Sequence, residues 1–524
     1  MHQRFRKKLN RYLELAPDEP FLQLVWAANL IQAGYPKVGL RYLKNVHQDA
    51  ISEDLTNSRH IFKWELETIV NELLTVPKRK KPLRGHFRQL DCNRYDAFVD
   101  IVKILRGLEN AESRLRLKRG NILREMPRIA ARQFDWQRGW LSLEQFYRST
   151  FIYGQGKGAE YFEATHGLTV NQFSLIGFAL YASFCEYPIT KHNLNLVGLP
   201  VSAEEFQRAL QLLSVPIKEA RERASAMRHR FWPIGYQPSL LRRFPCISFG
   251  DANERVRSPL PQLILERVTA GIFYDVASAG WEVREEYGRR FEEYSLRYLR
   301  AMLPSIKWQP EQVYRIRKEQ FKSPDILWLT NDGLRLAIEC KATRMSIDAR
   351  YGDDPLVARG YDDLIKAVFQ LWRYFSHCRR GLTDVALNGN ATGLVLTLDN
   401  WLQMARDLIH DILEAATRMA AERDPAILAE DRKPIFFCAI FDLEVTLGNA
   451  SEISFDAALE KAIDEDRAGW MLSSIHDEVV PEGNEQRRYP FEDSMAQVLP
   501  WWGWIENERL ARAVADHLGK DVDQ

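Results

Sequence analysis

Asp325, Glu339 and Lys341 are the residues of this chain whose types and spacing could do chemistry together. They bracket Ile-Leu-Trp-Leu-Thr, then Asn331-Asp332-Gly333, then Leu-Arg-Leu-Ala-Ile. The Asn-Asp-Gly step between two apolar runs predicts a β-hairpin. On its second strand Glu339 and Lys341 are two apart and share a face. Asp325, at the start of the first strand, folds back beside Glu339. Two carboxylates a few ångströms apart in a low dielectric are costly unless a divalent cation lies between them. Mg²⁺ takes hard oxygen ligands and keeps several waters. Asp325, Glu339 and the backbone carbonyl of Cys340, whose side chain faces away, are therefore the expected cradle, with Mn²⁺ as the alternative ion. Such a cation polarises a phosphoryl oxygen and activates a bound water as nucleophile. Lys341 would orient that water or stabilise charge growing on the phosphate. The competing reading is a surface Asp and an ordinary Glu–Lys pair on a half-exposed strand. Glu-x-Lys alone is common; Pro-Asp, a turn and an apolar strand ending in Glu-Cys-Lys is a more specific combination.

The elements around this hairpin must form a sheet with covered faces. Strands are expected at Val313–Arg317, Asp325–Thr330, Leu334–Thr343, Gly393–Leu398 and Ile435–Asp442. Helices at Tyr361–Cys378 and Trp401–Arg423 separate the later ones, and helices at Leu263–Ala279 and Tyr287–Met302 precede them. Strands alternating with helices predict an α/β domain. Up to about residue 245 the periodicity is helical, which predicts a large all-α N-terminal region. Short helices are expected at Phe21–Ile31 and Val38–Val46, and a longer one through Trp64–Leu74. Gly167 should end a helix, Thr169 should cap the next, Ser202 with Glu205 should form a capping box, and Pro216 should open another helix. A Pro-, Gly- and Asn-rich stretch from Phe244 to Gln262 marks a boundary. The division is a basic helical region 1–130, a second helical block 131–255, the catalytic domain 256–450 and an acidic, Trp-containing extension 451–524.

Pro324-Asp325 with Glu339-Cys340-Lys341 resembles the PD-(D/E)xK motif of the restriction-endonuclease-like nuclease superfamily. The resemblance covers roughly residues 285 to 445. It implies a central mixed sheet flanked by helices, Mg²⁺-dependent phosphodiester hydrolysis, and Asp325 and Glu339 as metal ligands. Two further features of that superfamily can be sought. One is a helix before the hairpin bearing a glutamate that helps hold the metal. Glu292, in Gly288-Arg-Arg-Phe-Glu-Glu-Tyr, fits that role and shares a face with Leu296 and Leu299. The other is a Q-x3-Y helix, matched by Gln370 and Tyr374 with Lys366 one turn earlier. Gln370 would hold the attacking water or a phosphate oxygen, and Lys366 would offer positive charge.

Composition is that of a folded soluble protein of several domains: 524 residues, 46% hydrophobic and 27% charged. The net charge of +1 hides an asymmetry. The first 130 residues hold an excess of roughly ten basic groups, and the stretch after 440 an excess of roughly twelve acidic ones. The run Lys78-Arg79-Lys80-Lys81 is either a solvated loop or a phosphate contact. Six scattered cysteines argue for reduced thiols and a cytoplasmic setting, and against structural zinc. The N-terminus carries no secretory signal, and the apolar window Phe173–Phe184 reads as a buried helix, so no membrane is expected. Gly154-Gln-Gly-Lys-Gly158 reads as a flexible loop, since the Walker ending is missing. His377-Cys378 reads as a packed helix end. Trp501, Trp502 and Trp504 read as closing a core. The expected partner is nucleic acid, DNA first, with a protein partner or second copy left open. Three functions remain: a DNA endonuclease, by fold-level analogy in prokaryotic restriction or antiviral defence; a non-cleaving nucleic-acid-binding adaptor; and an RNA-directed nuclease.

Overall fold

The computed structural model describes residues 2–51, 57, 59–79, 90–117, 122–191, 199–480 and 486–505. Its C-terminal half runs helix Trp281–Met302 (α1), strands Lys307–Pro310 (β1), Val313–Ile316 (β2), Glu319–Lys322 (β3), Ile326–Thr330 (β4) and Gly333–Lys341 (β5), helix Tyr361–Arg379 (α2), strand Leu387–Thr397 (β6), helix Arg406–Arg423 (α3), strand Ile435–Ala439 (β7) and helix Ile440–Asn449 (α4). Five of these strands form one mixed sheet in the order β7-β6-β5-β4-β1. The first three run parallel, and β4 and β1 are antiparallel to their neighbours. β2 and β3 make a separate antiparallel hairpin.

β5 is a nine-residue run buried along almost its whole length, as a strand covered on both faces must be. Leu327, Leu334, Ala337 and Val395 face a core built with α2 and α3. Ile326, Leu336, Ile338, Cys340, Leu394 and Leu396 face the opposite core, which includes Phe291, Tyr298 and Leu299 of α1. The turn between β4 and β5 is Asn331-Asp332, closed by Gly333 at φ +113°. A Cβ at Gly333 would meet the Ala386 carbonyl oxygen at 2.5 Å, so both conformation and space call for glycine.

The N-terminal region is predominantly helical. Thr169 and Gln172, and Ser202 and Glu205, form the expected capping boxes. Gly167 ends its helix in the left-handed conformation at φ +64°, and Pro216 precedes the helix Ile217–Met227. The apolar helix Val170–Glu186 is largely buried. Among the described residues no single helix is long and apolar enough to cross a membrane. One apolar core extends from Leu9 through the N-terminal helices to α1, the sheet and Trp501, without a break near residue 255.

Several expectations need correction. The N-terminal region is not wholly α: Thr190–Lys191, Ser214–Pro216, Cys246–Phe249 and Arg255–Arg257 form a small four-stranded sheet. These strands are too short for a two-residue alternation to be read. The expected helix at Val38–Val46 is a single turn, Pro36–Gly39. The helix expected at Leu263–Ala279 breaks at Thr269, and Trp401 lies ahead of α3. β7 stops at Ala439 instead of reaching Asp442, which lies in α4 and accepts hydrogen bonds from the Leu472 and Ser473 amides. Gly156 opens the helix Gly156–His166, so this stretch is not simply a loop. Its first turn meets protein carboxylates: the Lys157 amide donates to Glu286 at 2.7 Å and its ammonium pairs with Glu282 at 2.6 Å.

Candidate active site

The register of β4 on β5 pairs Ile326 with Ile338, so one step further Asp325 stands opposite Glu339. The backbone N–H of Cys340 donates to Asp325 Oδ2 at 2.6 Å, which clamps the carboxylate onto the second strand. The next position along β4 is Pro324, which has no N–H to offer the Cys340 carbonyl. N–H and C=O of one strand residue lie on the same edge, so that carbonyl is directed to the Asp325 side and left open by its neighbour. The sequence Pro-Asp thus does two jobs: it supplies a carboxylate and withholds a competing donor.

Glu339 and Lys341 share a face, as their spacing requires. Lys341 Nζ lies 2.8 Å from Glu339 Oε1 and 3.3 Å from Gln370 Oε1, which α2 brings over the strand end. The other half of the Gln-x3-Tyr pattern does not join in. Tyr374 is buried and packs edge-on against Tyr314. Glu292 on α1 is half-buried and close enough to feel Glu339 and Lys341, whereas its neighbour Glu293 is exposed and pairs with Arg297. Burial, with Glu311 and Glu339 adding repulsion, pushes the Glu292 carboxyl up to about 7. Burial and the charges of Glu339 and Glu292 hold Asp325 well above the usual carboxylate range. Burial opposes the Lys341 ammonium, but Glu339, Asp325 and Asp363 outweigh it and keep its pKa above the ordinary value.

Asp325 has no ion-pair partner among the described residues, and Asp325 and Glu292 hold their protons too tightly because both are buried and negative charge is crowded around them. A divalent cation would relieve that crowding. The donors are hard oxygens, suited to Mg²⁺ or Mn²⁺. Among the described residues no three His, Cys, Asp or Glu side chains close tightly enough to cage an ion by themselves. Water and substrate oxygens would complete the coordination, which is how Mg²⁺ is usually held. No family model, curated protein or solved structure matches this chain.

The basic residues divide. Lys366 is exposed on α2 one turn from Gln370, and among the described residues its one ion pair is a loose 3.9 Å approach to Asp363. Lys78 is not available as a phosphate contact: its ammonium donates to the carbonyls of Leu13 and Ala16 and pairs with Asp18 at 2.7 Å, which ties down a helix end. Arg79 is half-exposed and paired with Glu14 at 3.1 Å. Lys80 and Lys81 lie outside the described residues. His377 is buried, its Nδ1 2.8 Å from the Tyr314 hydroxyl, and Trp501 donates to Ser174 from within the core. Both are packing residues.

The strand expected at Val313–Arg317 is present as β2, but sequence reasoning missed β3 and the hairpin the two form ahead of Asp325. Its inner side, Tyr314 and Phe321, stacks together and packs on His377, with Arg373 over the Phe321 ring. Its outer side exposes Arg315, Arg317 and Lys318, for which no ion pair occurs among the described residues. Lys322 pairs with Glu311 at 2.9 Å. A cluster of four cations within ten residues, read against the strand that leads into Asp325, was the available signal.

Proposed function

We propose that this chain is a metal-dependent nuclease of restriction-endonuclease-like architecture that hydrolyses phosphodiester bonds, with DNA as its substrate. The observation that carries the reading is the meeting of Asp325 and Glu339 across two paired strands, with Lys341 and Gln370 on the same strand end. Asp325, Glu339, Glu292 and the Cys340 carbonyl would hold the ion. Bound there, Mg²⁺ would supply Lewis-acid polarisation of the phosphoryl oxygen and a more acidic water. Lys341, kept protonated by its carboxylate neighbours, stabilises negative charge that grows on the phosphate. Gln370 steadies the Lys341 ammonium, and its amide N–H₂, unpartnered among the described residues, could orient water or a phosphate oxygen. The outward cations of the β2–β3 hairpin, whose base leads through Ser323 and Pro324 into Asp325, would offer contacts to a nucleic-acid backbone.

Incubation of the purified chain with supercoiled plasmid, single-stranded DNA and RNA, with Mg²⁺, with Mn²⁺ and with EDTA, tests this. Metal-dependent cleavage that disappears in Asp325→Ala and in Lys341→Ala is the expected result. Tight binding of nucleic acid with no cleavage under any metal would make the chain an adaptor, and cleavage of RNA alone would reassign the substrate. Toxicity of the wild type on expression, relieved by Asp325→Ala, would support a role in defence.

A further inference from the structure

A cavity of about 550 Å³ lies apart from the candidate active site: none of Asp325, Glu339, Lys341, Gln370 and Glu292 lines it. It opens between the helix Ile122–Arg138 of the N-terminal region and the segments that follow β5, β6 and β7. The carboxyl ends of parallel strands are where open α/β sheets commonly take ligands. The volume falls in the range of roughly 300–1,000 Å³ typical of small-molecule sites.

The wall combines guanidinium, carboxylate and aromatic groups. Most of its cations are matched: Arg148 pairs with Glu444, and Arg344 with Asp399 at 2.9 Å. Arg138 combines an ion pair with an aromatic contact. It lies 3.7 Å over the Phe441 ring and has one carboxylate partner, Asp135 at 2.9 Å, which it shares with Arg350 at 3.7 Å. Its side chain keeps 34% of its surface exposed within an otherwise walled space. Burial, with Arg148 adding repulsion, pulls the Arg138 pKa below the ordinary value in spite of Asp135, Asp399 and Glu444. Among the described residues the guanidinium makes one hydrogen bond, from one of its five N–H donors to Asp135, which leaves donors for the oxygens of an anion. Phe134 and Phe441 provide apolar ring surface, and the carboxylates of the wall can accept from exocyclic amines.

We propose that this cavity binds a nucleotide, with its phosphate on Arg138 and its base among the aromatic walls. Arg344 follows Lys341 by three residues and reaches across to Asp399 after β6, so an occupant would brace the strand ends that carry the candidate active site. Free mononucleotide and a nucleotide unit of a nucleic-acid strand share this chemistry.

Calorimetric titration of the full-length Asp325→Ala chain separates them, and reads binding whether or not the protein cuts nucleic acid. The probes are adenosine and guanosine 5′-monophosphates, adenosine, inorganic phosphate and a short 5′-phosphorylated oligothymidylate. Saturable binding of a mononucleotide, weakened roughly tenfold or more by Arg138→Gln, is expected. Leu141→Trp, a change at an exposed residue of the wall, should block the cavity and serves as the second variant should Arg138→Gln fail to fold. Binding of the oligonucleotide alone, lost in the same variants, assigns the unit to a strand. Failure of both at millimolar concentration, equal binding of adenosine and its monophosphate, or undiminished binding in the folded variants would overturn the proposal.

Discussion

Asp325 and Glu292 are carboxyls whose ionised forms the folded chain disfavours. A carboxyl raised on folding stabilises the protein below its unfolded pKa, and that contribution is lost as pH rises through the folded value. For Glu292 the window runs from the ordinary value of 4.5 to about 7. The metal-free melting temperature should therefore fall across that window, and Glu292→Gln should flatten the fall in differential scanning fluorimetry. Mg²⁺ competes with the same protons, so its stabilising effect should be larger near pH 8 than near pH 5.5. Asp325→Asn should melt about 1–2 °C higher than the wild type without metal, and should abolish the Mg²⁺-induced rise. In a cleavage assay the loss of Asp325 or Lys341 should lower the rate by roughly 10²–10³-fold.

Two hairpins carry predictions at the scale of elements. In the β4–β5 turn, Gly333→Ala forces a Cβ toward the Ala386 carbonyl in a left-handed conformation. A cost of roughly 1–3 kcal/mol is expected, read as a lower midpoint in urea unfolding. In the β2–β3 hairpin, reversing charge at Arg315, Arg317 and Lys318 removes exposed cations without touching the Tyr314–Phe321 side that anchors it. Nucleic-acid affinity should drop, and the salt slope of log K should flatten by about 0.7–0.9 for each phosphate that is no longer neutralised. Hydrolysis of a small phosphodiester such as bis(p-nitrophenyl) phosphate should be unchanged. Equal losses on small and large substrates would place these residues in the catalytic step and sink the guide-surface reading.

Across the whole molecule the helical region and the sheet share one core and several buried polar ties. Arg148, on the helix Leu143–Tyr153, pairs with Glu444 of α4, and Glu444 also accepts from Tyr294 of α1 at 2.5 Å. Arg148→Met leaves a buried carboxylate unmatched, and a loss of roughly 3–5 kcal/mol is expected by thermal or urea unfolding. A fragment limited to 256–450 would expose the surface of that shared core, and should be insoluble or molten where the full chain is folded. A well-folded, cooperative fragment would show that the boundary read near residue 255 is a real domain limit.

Local signals determined much of this. The hairpin was legible because Asn331-Asp332-Gly333 is a short-range turn code, and the shared face of Glu339 and Lys341 follows from strand pleat alone. The capping boxes at Thr169 and Ser202 were equally readable, since both partners lie within one helical turn. Tertiary structure decided the rest. Whether Lys78 met solvent or the carbonyls of Leu13 and Ala16 depended on a partner more than sixty residues away. The split between Gln370 and Tyr374, four apart on one helix, was set by what packs against each. The short strands Lys307–Pro310 and Cys246–Phe249 exist because a neighbouring strand accepts their hydrogen bonds, and no window of four residues encodes that neighbour. The cavity around Arg138 is assembled from segments some three hundred residues apart. Packing that closes only after the chain has folded leaves no local period in the sequence.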